Sequence, residues 1–293
     1  MLTLKKLQVF VNIARLGNLT AAADELCLSK AAVSQALTEL ENQLNVPLFD
    51  RVHPRLKLND QGRQLQPLAD ELLTRASEIE QLFSSQMLQG QLRLGASQTI
   101  GNYLLPALLS RLPQGQTKVF ISNSYNLCQK LLQFELDLAL IEGENPYPEL
   151  VTVNWLEDEM YLLASPAHPL AQQQHTELSN LNGQPWVLRE PQSGSREQFD
   201  YQLAPLLQHC GNITELNTLE AVMKAVEAGI GLTLISAHAA ADRLRTGQLV
   251  RLALPQRFSR QLKLIWHRQK YHSALQRHFI SLCHEETASI SSP

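Results

Sequence analysis

Two short stretches of the chain place hydroxyls and a cation where a helix would begin. In GASQTIGNYLLP, Ser97, Gln98 and Thr99 stand between a strand-like run and a helix-like one. In REPQSGSREQFD, Ser193, Gly194, Ser195 and Arg196 open a second such run. The first N–H groups of a helix have no partner within it, so hydroxyls beside them suit a small oxyanion. The same residues serve equally as ordinary helix caps, and each stretch taken alone leaves both uses open. Glu142 in LIEGEN and Glu190 complicate an anion site, because a carboxylate aimed at a bound anion repels it. Each must turn away, pair with Arg196, or accept a proton.

A third cluster lies near the N-terminus. LTAAADELCLSKAAVSQALTELENQL reads as two helices joined by a short turn, the helix-turn-helix arrangement. Its alanines form helix readily and bury little area, so one helix can cross the other closely. Ser29, Lys30, Ala32, Ser34, Gln35 and Thr38 fall on the outer face of the second helix. There Ser, Gln and Lys can hydrogen-bond base edges or phosphates, and Ala32 can touch a thymine methyl. Thr20, Arg51, Arg55 and Lys57 suit the phosphate backbone. The alternative is a plain three-helix bundle with a solvated face, and the residues alone leave both open.

The elements that must hold these groups follow from periodicity. Leu4, Leu7, Phe10, Val11 and Ala14 recur at helical spacing until Gly17 stops them. Asn18 or Thr20 caps the next helix and Ser29 the one after, whose inward stripe is Val33, Leu37, Leu40 and Leu44. VPLFDRVHPRLKLND has the composition of a two-stranded wing. From Asp60 to about residue 89 a helical stripe runs through Leu65, Leu68, Ala69, Leu72, Leu73, Ala76, Ile79, Leu82 and Phe83. Pro67 stands near its start, where a missing N–H costs least, and Gly90 ends it. One helix between two domains cannot bury such a stripe alone, so it predicts packing against the same helix of a second subunit, the alternative being a helix that lies on its own domain's core. Beyond Gly90, short apolar runs such as KVFISN, LDLALIEGE and PWVLRE alternate with helical ones, the grammar of mostly parallel α/β sheets.

Bulk properties narrow the classes. A chain of 293 residues, 44% hydrophobic, is long enough for two or three units with real cores. It has no apolar run of about 18 residues and no signal-peptide pattern, so neither a membrane span nor export is expected. Cys27, Cys128, Cys210 and Cys283 are far apart, which predicts no disulfide framework or zinc site and a cytoplasmic location. Residues 1–63 hold eight Lys/Arg against six Asp/Glu, and the remainder 17 against 22, a slight basic excess at the N-terminal end. GxSxG, HExxH and P-loop signatures are missing, and His272, His278 and His284 are spaced six apart, on different faces of a helix. No enzymatic activity, metal or cofactor is expected.

The order of residues from LQVFVNIARLGNLT to LFDR and LKLNDQG strongly resembles the winged helix-turn-helix of LysR-type transcriptional regulators. The resemblance is carried by Phe10, Ala21 to Ala23, Ser29, Ala32, Val33, Ser34, Leu37, Leu40, Glu41, Leu48, Phe49, Arg51 and Gly62. Lys30, Ala31 and Ala36 depart from the commonest form, which bears on the operator sequence and not on DNA binding. The likeness covers the whole chain. It implies an α/β protein with an N-terminal all-α winged helix-turn-helix over 1–59, a dimerising linker helix over 60–89 and an effector domain over 90–293. That domain would have the two-lobed periplasmic-binding-protein fold, lobe I at 91–164 and 266–293 and lobe II at 165–265, with crossing strands at LLASPAH and LKLIWHR.

The resemblance also implies that the two hydroxyl-bearing helix starts face one another across a cleft, which favours the anion over mere capping. Ser97, Gln98, Thr99, Glu142, Ser193, Ser195 and Arg196 would line it. ASQTIGNYLLP, IEGEN and WLEDE look closest to the YeiE-like and cysteine-regulon-like branch, linked with sulfur oxyanions, so sulfite or sulfate is the expected effector. Implied partners are double-stranded promoter DNA, RNA polymerase and further copies of the chain as a dimer of dimers. The competing reading is a solute-binding or transport-associated protein whose N-terminal helices only mediate assembly.

Overall fold

The computed structural model describes residues 1–52, 55–82, 90–113 and 116–290, with side chains for all of these except residues 51, 52, 81, 116 and 288–290. The N-terminal unit comprises α1 (Leu4–Leu16), α2 (Leu19–Glu25) and α3 (Lys30–Leu44), then a hairpin of β1 (Phe49–Val52) and β2 (Arg55–Leu58). Each helix start is fixed by a side chain accepting an orphan N–H. Thr3 caps α1, Asn18 caps α2 through Ala21, and Ser29 caps α3 through Ala32. Gly17 ends α1 at φ 71°, a left-handed conformation that glycine adopts without strain. Leu7, Phe10, Ile13, Ala22, Val33, Leu37 and Leu40 form the core of this unit. Leu4 and Leu44, expected to face inward, lie at helix ends and stay exposed.

The linker helix α4 (Asp60–Gln81) presents three faces. Leu65, Ala69 and Leu73 join the N-terminal core, so this part of the stripe packs within its own chain. Leu68, Leu72 and Ile79 stay exposed, as does Leu82 just beyond. Gln66, Asp70 and Glu78, spaced by four and eight residues, bind the following domain. The rest of the helix expected up to 89 lies outside the described residues, apart from Leu82.

The second part is built on one seven-stranded mixed sheet. It opens with β3 (Gln91–Ala96), α5 (Leu105–Leu109), β4 (Gln116–Ile121), α6 (Ser124–Leu132) and β5 (Leu138–Ile141). Strand β3 pairs in parallel with β4 and β5. The long strand β6 (Leu150–Ala164) then leaves this lobe. The other lobe contains β7 (Trp186–Leu188), α7 (Gly194–Gln198), β8 (Ile213–Glu215), α8 (Leu219–Glu227), β9 (Thr233–Ser236), α9 (Ala237–Arg245) and β10 (Val250–Arg251). The chain returns along β11 (Phe258–His267) and ends in α10 (Ala274–Ile290). Strands β6 and β11 are antiparallel over their length, with a register shift at Leu262/Lys263. The sheet is therefore mixed instead of mostly parallel, because the strand that leaves one lobe pairs with the strand that comes back.

Each lobe has its own core. Leu94, Leu140, Leu156, Leu262, Leu264 and Phe279 share one. Met160, Leu162, Trp186, Phe199, Leu234 and Phe258 share the other. The division thus falls near Leu156 and Leu262. Met160, Leu162 and Ala164, toward the end of β6, pack in the second core.

Both lobes repeat one local device. A wide π-helical turn covers Ile100–Leu104 in the first and Phe199–Leu203 in the second. Each is followed within two residues by a proline, Pro106 or Pro205. Proline has no N–H and clashes with the carbonyl four residues back, and a widened turn relieves that clash while the helix continues. The turns directly follow the two hydroxyl-bearing segments.

Candidate functional site

On the N-terminal unit, Thr20, Ser29, Lys30, Ala32, Gln35 and Thr38 are exposed and Ser34 is half-buried. Lys30, Ser34 and Thr38 line a groove of about 270 Å³ with Thr20 and Arg55. Gln35 donates to Glu39 at 3.0 Å, and the Thr38 hydroxyl donates to the Ser34 carbonyl at 3.0 Å. Ser29 has its oxygen committed to the cap of α3, which leaves its proton to donate. Arg55 and Lys57 share the exposed face of β2. Arg51 lies in β1, and its side chain is outside the described residues.

Between the lobes, four donors converge on the carboxylate of Glu142. The Ser97 hydroxyl and the Thr99 N–H each donate to Oε1 at 2.8 Å. Arg260 donates to Oε2 at 2.8 Å, and the Ser195 hydroxyl reaches the same oxygen at 3.4 Å. Arg260 also holds Asp158 at 2.8 Å and Thr99 Oγ1 at 3.1 Å, while Ser236 donates to Asp158 at 2.6 Å. All of these side chains are buried, Asp158 completely. Burial alone would push the Glu142 carboxyl up; the Arg260 charge and the bonds from Ser97 and Thr99 overcome it and hold the carboxyl below its ordinary value. Burial works against the Arg260 charge in the same way, and Glu142 and Asp158 more than offset it, raising its pKa.

The arrangement gathers four donors on one carboxylate, and that carboxylate is the protein's own side chain. Glu142 therefore neither turns away nor pairs with Arg196. Arg196 lies outside the cluster, bound to Asp200 at 3.0 Å and to the Arg189 carbonyl at 3.2 Å. Ser193 caps α7 through the Arg196 N–H. Gln98 spans the lobes, donating to the Asn217 carbonyl and accepting from Leu219 N–H at 2.7 Å and Arg189 at 3.1 Å. Glu190 binds Arg189 at 2.8 Å and accepts from Asn123 across the cleft at 3.2 Å. The lobes also touch at Gly194, where an added Cβ would lie 2.5 Å from the Glu142 Cβ and 2.8 Å from the Gly143 nitrogen.

Sequence reasoning missed Arg260 and Asp158. The signal was present: in WLEDEM, Asp158 sits two residues from Leu156 and from Met160, and in FSRQL, Arg260 sits two from Phe258 and from Leu262. Two-residue periodicity puts both charges on an inward face, where a charge must be paired.

Residues 4–63 match the family model described as bacterial regulatory helix-turn-helix protein, lysR family, and residues 85–288 match the LysR substrate binding domain. The chain is 42% identical over 287 residues to YeiE of Escherichia coli K12, an uncharacterized HTH-type transcriptional regulator, covering 96% of this chain and 97% of that one. It is 30% identical to the HTH-type transcriptional regulator CysL of Bacillus subtilis, over 78% of this chain and 79% of that one. The crystal structure of ArgP from Mycobacterium tuberculosis shares the fold at a TM-score of 0.77 and 19% identity, covering 100% and 98% of the two chains. The solute-binding alternative is not favoured, because the N-terminal helices match a DNA-binding module along almost their whole length. The chain belongs to the LysR family, and it is a ligand-responsive, DNA-binding transcriptional regulator and not an enzyme.

Proposed function

We propose that this regulator senses a small oxyanion, sulfite or sulfate, at the receptor now filled by Glu142. The observation that carries the reading is the convergence of Ser97, Thr99, Ser195 and Arg260 on one carboxylate. Hydroxyls, a helix-start N–H and a buried guanidinium are the donors an oxyanion needs. An incoming anion takes these donors, and Glu142 swings out as the lobes readjust. Because Glu142 competes for the same donors, only an anion that accepts from several of them at once displaces it. Gln98 and Arg189 lie beside this receptor, and Ser193 and Arg196 order the helix start that supplies Ser195.

The domain roles are 1–59 for DNA binding, 60–89 for dimerisation and 90–293 for sensing. Ser29, Lys30, Ser34, Gln35 and Thr38 read base edges, Ala32 meets a thymine methyl, and Thr20, Arg51, Arg55 and Lys57 hold phosphates. The exposed row of Leu68, Leu72, Ile79 and Leu82 supports pairing of two copies, and pairs of pairs acting in the cytoplasm would place a promoter beside RNA polymerase.

Calorimetry with sulfite, sulfate, thiosulfate and small carboxylates tests the ligand, with a mobility shift on the upstream DNA as the functional readout. Sulfite or sulfate is expected to bind and to change operator affinity. Binding by none of the oxyanions, in the wild type or in Glu142→Gln, sinks the reading.

A further inference from the structure

Far from the cleft, at the junction of linker helix and first lobe, three buried charges and the half-buried Arg93 meet. Asp70 of α4 is paired with Lys270 and lies 3.4 Å from Arg93. Asp137 is paired with the same Arg93 and lies 2.9 Å from Lys270. The side chains of Lys270, Asp137 and Asp70 are 1%, 3% and 7% exposed. Asp137 is further locked to β3 by the Arg93 N–H at 2.8 Å and by its own N–H on the Arg93 carbonyl at 2.8 Å. Three more bonds on the same face of α4 reinforce the join. Gln66 donates to the Gln133 carbonyl at 2.9 Å, and Glu78 accepts from Tyr271 at 2.8 Å and from the Ala274 N–H at 2.9 Å.

The placement of these charges in the sheet gives them a meaning beyond packing. Strands β11, β5 and β3 are neighbours. Each carries a residue of the cleft receptor at or near one end and a residue of the charge quartet toward the other. Ser97 directly follows β3, which carries Arg93; Glu142 and Asp137 flank β5; and Arg260 lies near the start of β11, with Lys270 three residues beyond its end. The antiparallel direction of β11 brings its start to the cleft and its end to the quartet. The five steps of extended chain from Asp137 to Glu142 span roughly 16 Å. Hydrogen-bonded strands in a packed lobe move as a body, so a shift at the receptor end is a shift at the quartet end.

We propose that the Asp70–Arg93–Asp137–Lys270 quartet is the joint through which the receptor drives the linker helix, and with it the DNA-binding unit. Asp70 is the helix's grip on Arg93 of β3 and on Lys270 beyond β11, and both cations also bind Asp137 beside β5. Asp70→Asn leaves both cations facing Asp137, so neither is stranded, and it weakens only the hold on α4. The inference rests on the cleft being the sensing site, and its test therefore uses a change at the cleft that needs no ligand.

Hydrogen exchange is followed across the full-length chain for wild type, Glu142→Gln, Asp70→Asn and the double variant. Glu142→Gln is expected to change exchange at amides of α4 by at least about fivefold, a typical allosteric coupling. In the Asp70→Asn background that change is expected to fall below about twofold. Asp70→Asn/Lys270→Gln, which keeps the Arg93–Asp137 pair, should behave alike and serves if the single variant folds poorly. An undiminished α4 response in these backgrounds, or none in the wild-type background, overturns the joint. If calorimetry finds no oxyanion bound while α4 still answers through Asp70, the ligand assignment fails and the joint stands.

Discussion

The Glu142 carboxylate and the Arg260 guanidinium meet at 2.8 Å where the lobes divide, with 4% and 1% of their side chains exposed. One arrives on the strand end of the first lobe and the other on the strand returning from the second, so the pair ties the lobes together. It also supplies the cleft with a resident negative charge.

Neutralising that charge should open the receptor. Glu142→Gln leaves Arg260 paired with Asp158 and removes the competitor for its donors. Sulfate or sulfite is expected to bind at least about tenfold more tightly, or ~1.4 kcal/mol, by calorimetry. Arg260→Met strands two buried carboxylates and should lower stability by ~3–5 kcal/mol in urea titration. A Glu142→Gln protein with unchanged or weaker anion affinity would argue against competition.

Two carboxyls should respond to pH in opposite directions. Burial opposes the Asp137 charge, yet Lys270 and Arg93 hold its pKa down to about 2 from an ordinary 3.8. Its folded value lies below its unfolded one, so its stabilisation is complete above about pH 4 and is lost toward pH 2. The stability gap between wild type and Asp137→Asn should therefore close over that window. Glu197, by contrast, is pushed up by burial and by the neighbouring Glu144 and Glu142 charges. Burying its charge costs stability above its raised value and nothing below the ordinary one, so Glu197→Gln should stabilise at pH 7 and be neutral in acid. Urea titrations across pH check both signs.

Gly194→Ala should force the lobes apart. Its Cβ has backbone and Cβ atoms of Glu142 and Gly143 within 2.8 Å, and these cannot yield as a flexible side chain would. A loss of about 1–3 kcal/mol is expected, with weaker anion binding. Wild-type midpoint and affinity together would show that this contact does not hold the cleft closed.

On the DNA face, Arg55→Ala or Lys57→Ala should weaken binding to all sequences alike and reduce the salt slope by about one each. Gln35→Ala should instead relax discrimination at one base pair by about 1–3 kcal/mol with little change in slope. Mobility shifts at graded salt on operator and scrambled DNA separate the two behaviours.

Local signals carried the N-terminal unit. Asn18, Ser29 and Gly17 punctuate the helices where their chemistry requires, and the inward stripes fill the core. The cleft was legible only in part. Ser97, Thr99, Ser195 and Glu142 were readable because helix starts and lone carboxylates stand out in a sequence. Their true partner, Arg260, lies 118 residues from Glu142, and no local rule joins them. The same holds for the lobe boundary. Only packing reveals that Met160, Leu162 and Ala164 belong with the second core, since a strand crossing between lobes keeps one apolar rhythm throughout.

The three faces of α4 set a rule for building hybrids. Leu65, Ala69 and Leu73 complete the core of the reading head, while Gln66, Asp70 and Glu78 grip the sensor and Leu68, Leu72 and Ile79 stay exposed. No splice point within this helix keeps one owner for each face. Transplanting a foreign head onto this sensor calls for grafting by face, with every turn of the rod written as a mosaic of both parents.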